Sequence, residues 1–72
     1  MNATYRPGRA AIGPARIVEI LLASITALAA AGEVEKACRM AGEACVSLRG
    51  SDPAAARRFD VLLHRLTRDL TW

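Results

Sequence analysis

The chain has 72 residues, of which 53% are apolar, 24% are charged and 4% are aromatic, and its formal net charge is +3. This composition is typical of one small globular helical domain, because disordered chains are poor in apolar residues. The length excludes Rossmann folds, TIM barrels and most other enzyme scaffolds that carry a cofactor. Domains near this size bury only about 60% of their unfolded surface, so oligomerisation is a common source of stability.

The first 13 residues contain one proline and two glycines and have no helical periodicity. We therefore expect a flexible basic tail over residues 1–13, which includes Arg6 and Arg9, and a single helical domain over residues 14–72. Nine of the ten basic residues are arginine and fifteen residues are alanine. This bias favours high-GC coding over selection for phosphate binding.

A first helix is predicted from Pro14 to Ala31, since a proline is well tolerated in the first turn. Its large apolar side chains cover an arc of about 200°, which is wider than one neighbouring helix covers. They are Ile17, Val18, Ile20, Leu21, Leu22, Ile25 and Leu28. Such a helix is either central in its fold or part of a subunit interface. For a two-fold homodimer, the predicted contact residues are Val18, Leu22, Ile25 and Ala29.

Residues 1–31 also resemble a secretory signal, with a basic start, an apolar run and small residues at possible cleavage sites. Glu19 interrupts the apolar run, so we favour a structural helix. No stretch contains 18 uncharged apolar residues, which argues against a transmembrane helix. We therefore expect a cytoplasmic protein without membrane contact.

A second helix is predicted over residues 33–48, after Gly32 as a helix-terminating residue. Its apolar stripe consists mainly of small side chains, which allow two helix backbones to approach closely. The stripe contains Val34, Ala37, Cys38, Ala41, Ala44, Cys45 and Leu48. Charged residues occupy the opposite face.

A third helix is predicted from Pro53 to about Leu70, preceded by Gly50 in a left-handed conformation and by Ser51 or Asp52 as the N-cap. Its core stripe contains Phe59, Leu62, Leu63, Leu66 and Leu70. No segment alternates with a period of two, so the predicted fold is an all-α three-helix bundle. The residues expected in its core are Leu21, Ile25, Leu28, Ala41, Cys45, Phe59, Leu62, Leu63 and Leu66.

The residues offer little chemistry for catalysis or metal binding. Cys38 and Cys45 lie two helical turns apart, about 10 Å between Cα atoms, which is beyond disulfide reach. His64 is the single histidine and lacks a suitably placed nucleophile or acid. We therefore expect no enzyme activity, no cofactor and no metal site.

The best candidate surface for binding is the arginine face of the third helix. It consists of Arg57, Arg58, Val61, His64, Arg65 and Arg68. Such a row can contact an acidic protein partner or the phosphates of a nucleic acid. Asp60 and Asp69 flank it and no aromatic residues interleave with it, so a solvated face is the favoured interpretation.

Residues 21–53 resemble a tetratricopeptide repeat, which consists of two antiparallel helices. The stretch from Gly32 to Ala37 is similar to the turn between the helices of that family, and Ala41 and Ala44 fall at the next contact positions. Pro53 resembles the closing proline, although about four residues late, and leucines replace the family's tryptophan and tyrosine. The resemblance implies a protein-binding scaffold, and because one repeat cannot form a solenoid, it also implies self-association.

These observations favour a non-enzymatic protein that acts through protein–protein contact, as a homo-oligomer. The alternative is a small DNA- or RNA-binding regulator that uses the arginine-containing tail and the third helix. The salt dependence of binding distinguishes these two functions. Nucleic-acid binding weakens steeply with ionic strength, whereas association through apolar faces does not.

Overall fold

A computed structural model of the chain describes residues 13–68, which form three α-helices and contain no strand. The helices are α1 (Gly13–Ala30), α2 (Val34–Leu48) and α3 (Pro53–Arg68). The prediction of an all-α three-helix fold is confirmed, with helix ends within one or two residues of those expected. The predicted tail up to residue 12 and the predicted end of the third helix at Leu70 lie outside the described residues.

The turn between α1 and α2 depends on Gly32, whose φ is +98°, a conformation that L-residues with side chains rarely adopt. The Gly32 amide donates to the Ala29 carbonyl at 3.0 Å, and the Glu33 amide donates to the Leu28 carbonyl at 3.1 Å. This pair of bonds is a Schellman motif, which satisfies carbonyls at the end of α1. The prediction of Gly32 as the helix-terminating residue is therefore confirmed.

The turn between α2 and α3 differs from the prediction in one respect. Gly50 does not have a positive φ, so the left-handed cap expected there is wrong. The chain leaves α2 through a right-handed turn instead, with the Asp52 amide donating to the Leu48 carbonyl at 2.7 Å. The Asp52 carboxylate then accepts from the Ala55 amide at 3.1 Å, which makes Asp52 the N-cap of α3 and places Pro53 first in that helix.

The core forms where small residues of α2 meet larger residues of α1 and α3. Ala37 and Ala41 of α2, Ile25 of α1 and Phe59 of α3 are all completely buried. Leu62 and Leu66 complete this core cluster. The predicted core is confirmed at Ile25, Ala41, Phe59, Leu62 and Leu66, whereas the other predicted members are half-buried side chains that pack against the cluster. Those members are Leu21, Leu28, Cys45 and Leu63.

The central helix of the fold is α2, which packs against both neighbours, whereas α1 and α3 meet along only a short stretch. A central position for α1 was one of two options that its wide apolar arc suggested, and the structure excludes it. The physical reason is side-chain size: the alanines of α2 let a neighbour approach on each side. One side of α1 is therefore not covered by the other helices of residues 13–68.

Candidate functional site

A concave surface between α1 and α2 is an apolar groove, which we call the α1–α2 groove. It encloses about 650 Å³. Its lining residues are Pro14, Ile17, Val18, Leu21, Met40, Glu43, Ala44, Ser47, Leu48, Ser51 and Asp52. It runs along the side of the helical hairpin formed by the first two helices.

The floor and the walls of the groove are apolar. Val18, Leu21, Ala44 and Leu48 are half-buried and pack on the core, so they form the floor. The walls carry side chains that the fold leaves in water: Ile17 is 62% exposed and Met40 is 37% exposed. Ile20, which lies one turn from Ile17, is 50% exposed and extends the apolar surface along α1. Contiguous exposed apolar surface of this kind is characteristic of contact sites.

The rim of the groove is negatively charged. The polar lining residues are Glu43, Ser47, Ser51 and Asp52, and all four are exposed. Two of them are acids, and no basic residue lines the groove within the described part of the chain. The Asp52 carboxylate accepts a hydrogen bond from the Ala55 amide as the N-cap of α3, and it still contributes its negative charge to the rim of the groove. The groove therefore favours an apolar partner surface that carries positive charge.

The four residues predicted for self-association do not share one exposed surface. Ile25 is completely buried within the single chain, so it is excluded as a contact residue. Val18 opens into the α1–α2 groove, whereas Leu22 lines a separate cavity between α1 and α3. These two and Ala29 are half-buried and pack on the core. Ile25 is unavailable because the neighbouring helices cover the middle of the apolar arc, whereas a contact role for Val18, Leu22 and Ala29 stays a prediction.

The predicted arginine face lies on α3, and all six of its residues are exposed. Some of them line a cavity of about 450 Å³ between α1 and α3. The lining residues are Leu22, Thr26, Arg57, Arg58, Val61, Leu62 and Arg65. The face thus combines guanidinium groups with an apolar centre, in which Val61 is 49% exposed.

One arginine of this face is committed to a contact within the chain. Arg58 Nη1 donates to Glu19 Oε2 of α1 at 2.7 Å. This hydrogen bond, together with the positive charge of the guanidinium, lowers the pKa of the Glu19 carboxyl and raises that of Arg58. The remaining arginines of the face, Arg57, Arg65 and Arg68, have no acidic partner within residues 13–68.

His64 and the cysteines occupy ordinary structural positions. His64 Nδ1 lies 2.9 Å from the Asp60 carbonyl oxygen and 3.6 Å from a carboxylate oxygen of the same residue. Cys38 and Cys45 are half-buried free thiols. Across residues 13–68, His, Cys, Asp and Glu side chains do not gather into a group of three that could hold a metal ion.

By length and composition alone, α1 is a candidate membrane span: its 18 residues have a mean hydropathy of 1.5. The two charged residues of α1, Arg16 and Glu19, do not lower its mean hydropathy enough to exclude a transmembrane helix on these grounds. A core helix of a soluble protein and a signal sequence near the N-terminus share these properties.

No family model, no curated protein and no solved structure matches the chain. The resemblance of residues 21–53 to a tetratricopeptide repeat therefore depends on the residues alone.

Three residues of the exposed apolar surface were absent from the predicted contact set: Ile17, Ile20 and Met40. A signal for the two isoleucines exists in the sequence, because they lie at the far edge of the 200° arc on α1. Met40 carried no such signal, since it lies among the charged residues of α2 and becomes part of a groove only when α1 packs beside it.

Proposed function

We propose that the chain is a non-enzymatic helical protein of the cytoplasm that acts through protein–protein contact and self-associates through the α1–α2 groove. The observation that supports this proposal is the apolar surface that is exposed on the described part of the chain, residues 13–68. Ile17 and Met40 are exposed in the lining of a groove with a half-buried apolar floor, and Ile20, one turn from Ile17 on α1, is exposed as well.

The energetics favour covering this surface. Burying one Leu-sized side chain is worth about 1.5–3 kcal/mol, which is a large share of the roughly 3–5 kcal/mol that a core of this size supplies. A second copy that covers Ile17 and Met40 stabilises the fold and the assembly together. The α1–α2 hairpin and its small contact residues, Ala37 and Ala41, are also in keeping with the resemblance to a tetratricopeptide repeat, a protein-binding unit.

The contact between α1 and α3 supports a soluble role for α1 over a membrane-spanning one. Glu19 is paired with Arg58 of α3, and Ile25 is completely buried against α2 and α3 residues. Insertion of α1 into a bilayer would break this ion pair, place an unpaired carboxylate in hydrocarbon and expose Phe59 to water.

Sedimentation of the full chain over a concentration series, with a charge placed in the groove, tests the proposal. The wild type should self-associate below about 100 µM, the concentration range of ordinary specific contacts. Ile17→Glu should remain folded, because residue 17 is exposed, and should be monomeric. Val46→Glu is the matched control: Val46 is 62% exposed, as Ile17 is, but does not line the groove.

Two results would contradict the proposal. A folded wild-type monomer at 100 µM would exclude self-association of ordinary affinity. Equal loss of association in Ile17→Glu and Val46→Glu would show that added negative charge, rather than the groove, controls the assembly.

Nucleic-acid binding through α3 is the second candidate, because Arg57, Arg65 and Arg68 are exposed and have no acidic partner within residues 13–68. The commitment of Arg58 to Glu19 removes one of the four arginines from that role. Fluorescence anisotropy with labelled DNA and RNA duplexes tests it. Binding that weakens steeply with salt and is lost in Arg57→Ala/Arg65→Ala would support this candidate, whereas binding unaffected by that change would exclude it.

A further inference from the structure

We infer that the self-association is head to tail: the arginine face of α3 in one copy docks into the α1–α2 groove of the next. This inference rests on the self-association proposed above and names the surface that fills the groove. It replaces a two-fold contact of α1 with its own copy by a contact between two different surfaces.

Charge is the first argument. The charged lining residues of the groove are Glu43 and Asp52, both acidic. Groove-to-groove pairing would bring these carboxylates close to their own copies, and pairing of two arginine faces would bring arginines together. Like charges placed opposite one another cost free energy at an interface. Of these three pairings, the one between groove and arginine face places Arg57 and Arg65 against the acidic rim.

Shape is the second argument. Arg57, Val61 and Arg65 are spaced four residues apart, so they form one ridge along α3. The middle of this ridge is an apolar side chain that is 49% exposed, and both ends are guanidinium groups. The groove has the complementary order, with a half-buried apolar floor and exposed acids at its rim. Packing of an i, i+4 ridge into a groove between helices is the common mode of helix contact.

The arrangement has a consequence for the size of the assembly. Each copy carries one groove and one ridge, so a bound copy still offers a groove at one end and a ridge at the other. Such a contact forms a ring if the rotation closes and an open chain if it does not. The wild-type mass should therefore rise with concentration beyond twice the chain mass of 7.7 kDa, unlike that of a two-fold dimer.

Two variants, each blocked on one surface, test the inference. Ile17→Glu blocks the groove and keeps the ridge, and Val61→Glu blocks the ridge and keeps the groove. Both positions are exposed, and circular dichroism would verify that both variants are helical. Each variant alone should be monomeric by sedimentation. An equimolar mixture should form a 1:1 complex with an affinity within about threefold of the wild-type contact, because one intact interface remains.

The outcomes separate this inference from the proposed function. If Val61→Glu alone associates as the wild type does, the ridge is not the partner surface and the inference is overturned, while the groove keeps its role. If the variants stay monomeric when mixed, the head-to-tail arrangement is also overturned. If the wild type is itself monomeric, the proposed self-association fails.

A milder change keeps the test informative should Val61→Glu unfold. Arg57→Ala/Arg65→Ala removes only exposed side-chain ends and should weaken self-association about three- to tenfold, as expected for two rim charge pairs. The matched control is Arg39→Ala, an exposed arginine of α2 that lines neither surface. Equal affinities of the double variant and the wild type would overturn the inference.

Discussion

Arg58 of α3 and Glu19 of α1 form a 2.7 Å ion pair that spans the two helices that meet least in this fold. It is the one ion pair between different helices within residues 13–68. The two helices meet along only a short stretch, and both side chains of the pair are about half exposed, so its contribution to stability should be small.

Glu19→Gln should lower the melting temperature slightly at neutral pH and have no effect in acid. The pKa of Glu19 is lower in the folded chain than its ordinary value because Arg58 hydrogen-bonds to the carboxylate. A lowered pKa stabilises the fold above the unfolded-state pKa, and this stabilisation is lost as the pH falls through the folded-state pKa. Thermal melts at low salt should show a difference of at most a few degrees, because both side chains are about half exposed.

A double-mutant cycle with Arg58→Gln separates the pair from its individual side chains. The coupling should be present at neutral pH, lost as the pH falls through the lowered folded-state pKa of Glu19, and reduced by salt. Coupling that persists in acid would mean that the two side chains interact through packing rather than charge.

Glycine to alanine substitutions should have opposite effects at two positions. At Gly42, inside α2, a new Cβ would lie 3.9 Å from Leu63 Cδ2, an ordinary contact, so alanine should stabilise the fold by about 0.5–1 kcal/mol. At Gly32 the space is open but φ is +98°, so alanine should cost about 1–2 kcal/mol. Urea unfolding measures both, and a neutral Gly32→Ala would show that the turn tolerates another backbone conformation.

The helices were predictable because their ends are set locally. Gly32 permits the positive φ that ends α1, and a capping residue followed by Pro53 favours the start of a helix through local interactions alone. The sequence could not decide between Ser51 and Asp52 as the cap, nor exclude a left-handed Gly50. Those outcomes depend on the angle between α2 and α3, which is set by packing.

The apolar pattern did not predict which of the three helices lies at the centre of the fold, nor where the groove forms. The width of the arc on α1 indicated either a central helix or a subunit interface, and the small side chains of Ala37 and Ala41 put α2 at the centre. Apolar area measures what a helix needs to bury, whereas side-chain size determines how many neighbours can approach it. The groove followed from this arrangement, since it forms where Met40 of α2 and Ile17 of α1 flank a half-buried floor.

Overpacking of the α2 contacts should destabilise the fold. Ala41 is completely buried between helices, so Ala41→Leu should force the helices apart and cost about 1–3 kcal/mol or more. Ala54→Leu adds the same atoms at an exposed position of α3 and should be nearly neutral. Chemical denaturation compares the two variants, and equal stabilities would contradict the close approach of α2 to its neighbours.

Truncation of a core side chain should cost more at Leu66 than at Leu63. Leu66 is 6% exposed, so Leu66→Ala should lose about 2–5 kcal/mol and leave the domain largely unfolded. The sequence pattern placed Leu63 in the core as well, but that residue is half-buried, so Leu63→Ala should lose only about 1–2 kcal/mol. Thermal melts followed by circular dichroism rank the variants, and the reverse order would contradict this arrangement of the core.

Asp52 has two roles that substitution can separate. Its carboxylate caps α3 through the Ala55 amide, and its charge lies at the rim of the α1–α2 groove. Asp52→Ala should lose the cap and cost about 0.5–2 kcal/mol of stability. Asp52→Asn keeps an oxygen that accepts from the same amide, so its free energy of unfolding should be close to that of the wild type. It should self-associate more weakly, because one rim charge is gone.

Urea unfolding at low protein concentration and sedimentation at high protein concentration measure the two effects of each substitution at Asp52. Wild-type self-association in Asp52→Asn would show that the charge of this rim residue does not contribute to the contact.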